Sequence, residues 1–275
     1  MKTYKTVNWA VCGLVLLALG LPVWGEGSGA RHESTQGVKA VIEAKASKSS
    51  LDAALGHAVL MENLAEMKRL IAKGANVKAK DKDGNTPLHI AAATGNLETT
   101  RLLLAKGASV NARGMFDWTP LLNAAQSEAL QVCKLLLAKG ANIQARNDQG
   151  ETPLHRAATK GNLKVVALLI SKGANIKAKD KAGWTPLHWT AYNKSMDVAK
   201  LLIKKGSDIN TRNNAGTTPL HLAALENNIT LAKLLIAKGA DVNVEEEHGW
   251  TPLDLAKAGR HSEIATLLKA HGAKE

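Results

Sequence analysis

Apolar and polar residues follow each other along most of this chain in an order that returns every 33 residues. Each copy has a short apolar stretch that starts with Thr-Pro-Leu, then a polar turn, a stretch rich in Leu and Ile, and a closing glycine. The tripeptide begins at Thr86, Thr119, Thr152, Thr185, Thr218 and Thr251. The closing glycines keep the same step, at Gly74, Gly107, Gly140, Gly173, Gly206, Gly239 and Gly272. Two markers locked to one period predict a linear array of one supersecondary unit.

Each unit predicts two short helices joined by a turn. Threonine can cap a helix start and proline suits the first helical position, so Thr-Pro-Leu begins an inner helix. The pair Gly95-Asn96 marks a turn, and the apolar run that follows predicts an outer helix ending at Gly107, a residue suited to the left-handed conformation there. The polar link to the next unit contains an Asp-Gly turn signal. The chain therefore predicts an all-α array of seven units, at residues 51–80, 81–113, 114–146, 147–179, 180–212, 213–245 and 246–275.

Residues 81–108, with the sequence DKDGNTPLHIAAATGNLETTRLLLAKGA, resemble an ankyrin repeat. Residues 180–207 and 213–240 resemble it as well, and the similarity extends over residues 51–275. The resemblance implies an ankyrin-repeat solenoid of stacked helix-turn-helix units with projecting β-turn fingers. It also implies that a concave surface, made by the fingers and inner helices, binds another protein. The family has no common catalytic site, and regular rows offer no convergent catalytic groups, so we predict neither an enzyme nor a cofactor.

Aromatic residues break the regular pattern on the predicted concave surface. Trp118, Trp184 and Trp250 stand just before threonine in alternate units, and the third unit adds Met115 and Phe116 on its finger. Exposed apolar clusters usually mark interaction sites, and tryptophan and tyrosine are common at binding hot spots. From the resemblance and these departures, the predicted protein-binding residues are Met115, Phe116, Trp118, Gln126, Trp184, Trp189, Tyr192, Asn193, Leu225, His248 and Trp250. For each single tryptophan, the alternative that it only covers the base of its finger stays open.

Histidine recurs at one position of the unit, as His89, His155, His188 and His221. Equivalent residues of neighbouring units stand roughly 10 Å apart at helix-packing distance, whereas zinc holds its ligands at about 2.0–2.1 Å. Two of these histidines therefore cannot share a metal, and we predict no metal site. The resemblance implies instead that each histidine bonds within its own turn and to the next one.

The first 25 residues lie outside the array. Lys2 and Lys5 give a basic start, residues 10–21 form an apolar run, and Pro22 then breaks it. This is the pattern of a secretory signal peptide. An uncleaved membrane anchor is the alternative, although the run is shorter than the ~20 residues that a spanning helix needs. Residues 26–50 are polar and predict a flexible leader. We expect an exported protein, periplasmic or secreted, whose mature form is monomeric and does not span a membrane.

Cys133 would be the only cysteine of the mature chain, because Cys12 lies in the signal segment. An intramolecular disulfide is then impossible. Cys133 holds an outer-helix position that other units fill with Thr, Val or Ala, which predicts a buried apolar role rather than a nucleophile.

A row of cations precedes the closing glycines, and we call it the lysine ladder: Lys73, Lys106, Lys139, Lys172, Lys205 and Lys238, completed by His271. A cation at a helix C-terminus is stabilising by roughly 0.3–1 kcal/mol, which explains the row without a ligand. The alternative is a structural protein of the envelope or cell surface that binds an anionic polymer or membrane surface through this basic edge. A nucleic-acid partner is not expected, because the ladder supplies six of the ten net positive charges left after removal of Lys2 and Lys5.

Overall fold

The computed structural model describes residues 48–274, so the predicted signal peptide and nearly all of the predicted leader lie outside the described residues. Over this range the chain forms fourteen α-helices and one short 3-10 turn, Met115–Asp117, and no β-strand. The helices are α1 Lys48–Leu60, α2 Leu64–Ala72, α3 Pro87–Thr94, α4 Leu97–Ala105, α5 Pro120–Gln126, α6 Leu130–Ala138, α7 Pro153–Lys160, α8 Leu163–Ser171, α9 Pro186–Tyr192, α10 Met196–Lys204, α11 Pro219–Leu225, α12 Ile229–Ala237, α13 Pro252–Ala258 and α14 Ser262–Ala270.

The helices alternate between two roles along the array. Each odd-numbered inner helix packs against the even-numbered outer helix that follows it in the chain. Inner helices also pack against the inner helices of neighbouring units, and from α4 onward outer helices pack against outer helices. Each unit therefore buries its apolar face against its neighbours, as stacked repeats do. The prediction of an all-α repeat solenoid is confirmed.

Small and aliphatic side chains fill the space between the helices. The leucines of the Thr-Pro-Leu tripeptides are fully or almost fully buried, as Leu88, Leu154 and Leu187 illustrate. Alanines such as Ala91 and Ala157 are fully buried beside them, and their small side chains let the inner helices approach closely. The buried residues form one cluster that extends from the first helix pair to the last one in the described range.

The threonines occupy the predicted N-cap positions, and in four units a histidine extends the cap to the next unit. The Thr152 N–H donates to His155 Nδ1 (3.1 Å), and the Thr152 hydroxyl lies 2.8 Å from the same nitrogen. Because Nδ1 accepts, Nε2 carries the proton and donates to the Trp184 carbonyl (3.1 Å). His89, His188 and His221 make the equivalent bonds to the carbonyls of Trp118, Thr217 and Trp250. The histidine row therefore joins successive units, as predicted.

Two of the six units that carry Thr-Pro-Leu depart from this arrangement. Leu122 replaces the histidine in the third unit and is fully buried, so an imidazole does not bridge units three and four. Asp254 replaces it in the last unit, where Oδ2 accepts from the Thr251 N–H (3.0 Å) and hydroxyl (2.7 Å). A carboxylate has no N–H to donate onward, so Asp254 caps its own helix only.

The fingers are held by a side chain at their base. Asp180 Oδ1 accepts from the N–H groups of Ala182 (2.9 Å) and Trp184 (2.8 Å). Asn147 and Asn213 make the equivalent two bonds in the neighbouring fingers. Backbone hydrogen bonds also link successive fingers. Together these bonds fix the residue just before Thr-Pro-Leu at the base of each of these three fingers.

A second row of cations, which the sequence analysis did not single out, lies at the finger bases. Arg113 Nη1 donates to the Arg146 carbonyl (2.7 Å), Arg146 Nη1 to the Lys179 carbonyl (2.6 Å), and Lys179 Nζ to the Arg212 carbonyl (2.8 Å). Each side chain therefore satisfies a backbone acceptor of the following unit. The cations reinforce the stack while their remaining surface stays exposed.

Cys133 is fully buried, and burial raises the pKa of its thiol to about 12. A thiol with such a pKa stays protonated near neutral pH, and the thiolate is the reactive form. The predicted buried role is therefore confirmed.

Across residues 48–274, none of the helices combines the length and the apolar character that a membrane crossing requires.

Candidate protein-binding surface

Unit five places three aromatic rings together on the face formed by the fingers and inner helices, which we call the finger–helix surface. Trp184 lies at the base of the finger, and Trp189 and Tyr192 follow on α9. The ring centroid of Trp184 lies 4.8 Å from that of Trp189 and 5.8 Å from that of Tyr192. Trp189 and Tyr192 are 6.3 Å apart with nearly perpendicular planes. All three rings are partly exposed, and they form what we call the unit-five aromatic cluster.

The carboxylate of Asp180 borders this cluster. Its Oδ2 accepts a hydrogen bond from Trp189 Nε1 (3.3 Å), while Oδ1 is held by the finger backbone. Burial raises the pKa of Asp180, because the charged form loses solvation there. Glu151, a second carboxylate, acts in the same direction. Among the side chains of residues 50–274, none makes an ion pair with Asp180.

Units three and four share a polar network beside Trp118. Arg156 Nη1 donates to Glu151 Oε1 (2.8 Å), and Arg156 Nε donates to Gln126 Oε1 (2.9 Å). The guanidinium carbon lies 5.1 Å from the ring centroid of Trp118. Asn147 Nδ2 donates to the other Glu151 oxygen (2.7 Å). The side chains of Arg156 and Glu151 are only 12% and 8% exposed, so this is a largely desolvated charge pair.

The finger of unit three is built differently from the others. Gly114 stands where they carry a carboxylate or amide, and Phe116 and Asp117 both adopt left-handed backbone angles, φ 52° and 60°. Such angles cost a residue with a side chain about 1–3 kcal/mol. The Phe116 carbonyl accepts from the Asp148 N–H of the next finger (2.9 Å), while 60% of Phe116 is exposed. Met115, beside it, is partly exposed. The strained turn therefore holds an exposed aromatic ring at the finger tip.

The last two units carry separate apolar side chains. Leu225, at the end of α11, is 42% exposed, and Trp250, at the base of the last finger, is 41% exposed. His248 and Trp250 line one surface depression. His248 Nδ1 lies 3.0 Å from Glu246 Oε2, and the pKa of His248 is raised by that hydrogen bond. Glu246 also accepts from the Trp250 N–H (3.2 Å), so it replaces the aspartate or asparagine that holds other fingers.

The array of helix pairs matches a known protein family. A family model described as ankyrin repeats (3 copies) matches residues 29–114, 111–180 and 187–275. The chain belongs to the ankyrin-repeat family. Ankyrin repeats are protein–protein interaction modules, and the family is typically not catalytic. No curated protein gives a significant match to the sequence.

This ankyrin array groups the predicted binding residues unevenly. The three rings of the unit-five aromatic cluster contact one another, and Asn193 Nδ2 donates to the Trp189 carbonyl beside them (3.1 Å). Trp118 and Gln126 are joined only through Arg156. The remaining predicted residues lie elsewhere on the array: Met115 and Phe116 in the finger of unit three, Leu225 in unit six, and His248 and Trp250 in unit seven.

Sequence reasoning missed three charged residues of this ankyrin surface, Arg156, Glu151 and Asp180. A signal existed for the first two. Arg156 directly follows the recurring histidine of its unit, at the position that Trp189 and Leu222 hold in the next two units. Glu151 holds the position at which the neighbouring units have tryptophan. In the six units that carry Thr-Pro-Leu, the other residues at these two positions are uncharged, so a charge there indicates a local partner. Asp180 gave no signal, because aspartate or asparagine is expected at a finger base.

The lysine ladder of the ankyrin array is exposed. Each of the six lysines directly follows the last residue of an outer helix, where the unpaired carbonyls of that helix lie. The position is the one that favours a cation next to the negative end of the helix dipole. The structural explanation of the ladder therefore applies in every one of these units.

Proposed function

We propose that this protein is an exported ankyrin-repeat module, a binding domain or scaffold, that holds a partner protein through its finger–helix surface. The observation that carries the proposal is the concentration of aromatic side chains on that surface in units three, five and seven. Phe116 is 60% exposed on a strained turn, and strain of this kind is often kept where it serves a function. Partly exposed aromatic rings bury a large area on binding with few rotatable bonds.

A matched set of alanine variants tests this assignment. Trp184→Ala and Trp250→Ala remove rings from the finger–helix surface, whereas Leu163→Ala removes an apolar side chain from outer helix α8. Trp250 and Leu163 have the same exposure, 41%. We expect each tryptophan variant to weaken partner binding about tenfold or more, because buried aromatic anchors dominate interface energies. Leu163→Ala should leave the affinity unchanged.

The partner is obtained by cross-linking in the native host, followed by affinity capture and mass spectrometry. Affinities for the purified partner are then measured with the variants and the unchanged chain, and circular dichroism checks that each variant is folded. Loss of binding in Leu163→Ala, with full binding in the two tryptophan variants, places the interface on the outer helices and refutes the proposal.

A second candidate is binding of an anionic polymer or membrane surface by a structural envelope protein. The observation that favours it is the presence of two rows of exposed cations, the lysine ladder and the row at the finger bases. Binding through many surface charges weakens steeply with salt, whereas apolar contacts do so only slightly. Under the main proposal, raising NaCl from ~50 mM to ~500 mM should change partner affinity less than about threefold. A steep loss, accompanied by tight binding to heparin at low salt, favours the second candidate.

Export is part of the proposal and rests on the signal-peptide pattern of residues 1–25. We propose that this segment is cleaved and that the mature chain is periplasmic or secreted. N-terminal sequencing of protein isolated from its native host tests this. A mature terminus close to residue 26 supports cleavage, and a terminus at Met1 in a membrane fraction supports the anchor instead.

A further inference from the structure

The three rings of the unit-five aromatic cluster pack against one another and leave no space for a ligand between them. The three centroid distances, 4.8, 5.8 and 6.3 Å, are those of rings in contact with one another. A cation bound over an aromatic face stands within about 6 Å of the ring centroid. A cation could therefore lie against the outer faces of these rings but not among them.

Asp180 makes the same place favourable for a positive charge. Its carboxylate is partly buried at the edge of the cluster, and it makes no ion pair with residues 50–274. The charge of Glu151 makes its surroundings more negative. Of the two lysines that flank Asp180 in the chain, Lys179 directs its ammonium group to the Arg212 carbonyl (2.8 Å), and Lys181 makes no ion pair with Asp180. A carboxylate that has lost solvation gains stability when a cation approaches.

The chain contains a related and occupied arrangement two units earlier in the array, where the carboxylate comes from a different position, Glu151 of unit four. Trp118 lies at the base of its finger, as Trp184 does, and Arg156 of the next unit extends over its ring and binds the Glu151 carboxylate. The residue equivalent to Arg156 beside Trp184 is Leu222, which is buried and carries no charge. Unit five therefore has the ring and the carboxylate but not the guanidinium.

We propose that the unit-five aromatic cluster and Asp180 bind an arginine side chain supplied by the partner protein. The inference rests on the proposed function, since it names the chemistry of the partner at one point of the finger–helix surface. Guanidinium fits better than ammonium because it is flat. It stacks on a ring face and donates hydrogen bonds to a carboxylate at the same time, as Arg156 does.

The test uses N-acetyl-arginine-methylamide as the probe and the full chain labelled with nitrogen-15. Indole N–H resonances are assigned by single Trp→Phe substitutions and followed during titration. We expect the Trp184 and Trp189 indole signals to shift in a saturable way, with millimolar affinity on the order expected for one side chain. The Trp118 signal should not move, because Arg156 already covers that ring.

Two comparisons isolate the charge. N-acetyl-citrulline-methylamide has the same shape as the probe without the charge, and it should bind about fivefold more weakly or not at all. The variant Asp180→Asn should weaken arginine binding by a similar factor without disturbing the finger, because Asn147 and Asn213 hold the equivalent fingers. Equal binding of arginine and citrulline overturns the proposal, as does full affinity in Asp180→Asn. Tighter binding of the lysine analogue overturns the choice of guanidinium.

The outcome is separable from that of the proposed function. If arginine fails to bind while Trp184→Ala still loses the partner protein, only this inference is wrong. If arginine binds as expected while Trp184→Ala and Trp250→Ala keep full partner affinity, the cation site stands and the proposed interface is wrong.

Discussion

Acidification from pH 7 to pH 4 is expected to lower the free energy of unfolding of the array by roughly 6 kcal/mol. The groups responsible are His155 and His188, and burial lowers the pKa of each to about 4. A histidine in an unfolded chain has a pKa of about 6.5, and each unit of difference in pKa is worth about 1.4 kcal/mol. Each of the two histidines therefore contributes about 3 kcal/mol.

The sign follows from which state binds protons first. Between pH ~6.5 and pH ~4 the unfolded chain takes up protons that the folded chain refuses, so the stability is complete above this window and is lost as the pH falls through it. Charged neighbours act with burial: Arg146 and Arg156 lower the pKa of His155, and Lys179 lowers that of His188. Burial also lowers the pKa of His89 and of His221, which adds to the effect.

Urea unfolding followed by circular dichroism at pH 7, 6, 5 and 4 measures this loss. The matched control is His155→Leu with His188→Leu, because Leu122 is fully buried at the equivalent position of unit three. The double variant should start out less stable, since two caps are lost, but it should lose far less on acidification. Carboxylates titrate alike in both proteins and cancel. Parallel loss of stability in the two proteins contradicts the assignment to these histidines.

Replacement of Arg156 by leucine is expected to destabilise the fold by about 3 kcal/mol. The change leaves the Glu151 carboxylate, 8% exposed, without its cation, and only the bond from Asn147 Nδ2 remains to it. Gln126 and the ring of Trp118 lose their contact with the guanidinium as well. Removing one partner of a buried charge pair is costly because the other charge stays desolvated.

The chain provides its own control for this prediction. In unit six the equivalents of Glu151 and Arg156 are Thr217 and Leu222, with the leucine buried. The double variant Glu151→Thr with Arg156→Leu copies that pair, and it should recover to within about 1 kcal/mol of the unchanged chain, because apolar replacement of a whole buried pair is often neutral. Denaturant unfolding of the three proteins gives the result. A single variant as stable as the unchanged chain shows that the pair is not desolvated as described.

The helix pairs, their caps and the role of the histidine row could be predicted because they depend on local rules repeated with one period. Thr152 and His155 are three residues apart, so their bond belongs to the helix start itself. Only the partner of Nε2, the Trp184 carbonyl 29 residues away, needed the stacking of units. The resemblance to ankyrin repeats implied this bond to the next turn as well, and the 33-residue period is part of that resemblance.

The candidate site was predicted less completely. The residue types and positions pointed to Trp184, Trp189 and Tyr192 but not to whether their rings touch. The charge pair of Arg156 and Glu151 escaped prediction, because neither residue resembles a binding site when considered alone. Its meaning comes from low exposure and from contacts across two units, which no local pattern encodes.

The 33-residue period is sufficient to predict the fold, because similar units can bury their apolar faces only by stacking on one another. The same period also identifies the recurring Thr, Pro, Leu, His and Gly residues as structural, since a fixed spacing keeps equivalent residues at one place in every unit. The contacts made by residues that break the repeat pattern are visible only in the folded array. It places Arg156 over the ring of Trp118. Beside Trp184 it places the Asp180 carboxylate but, among the residues that the structure describes, no cation over the ring. These contacts depend on side chains from neighbouring units that meet only after folding.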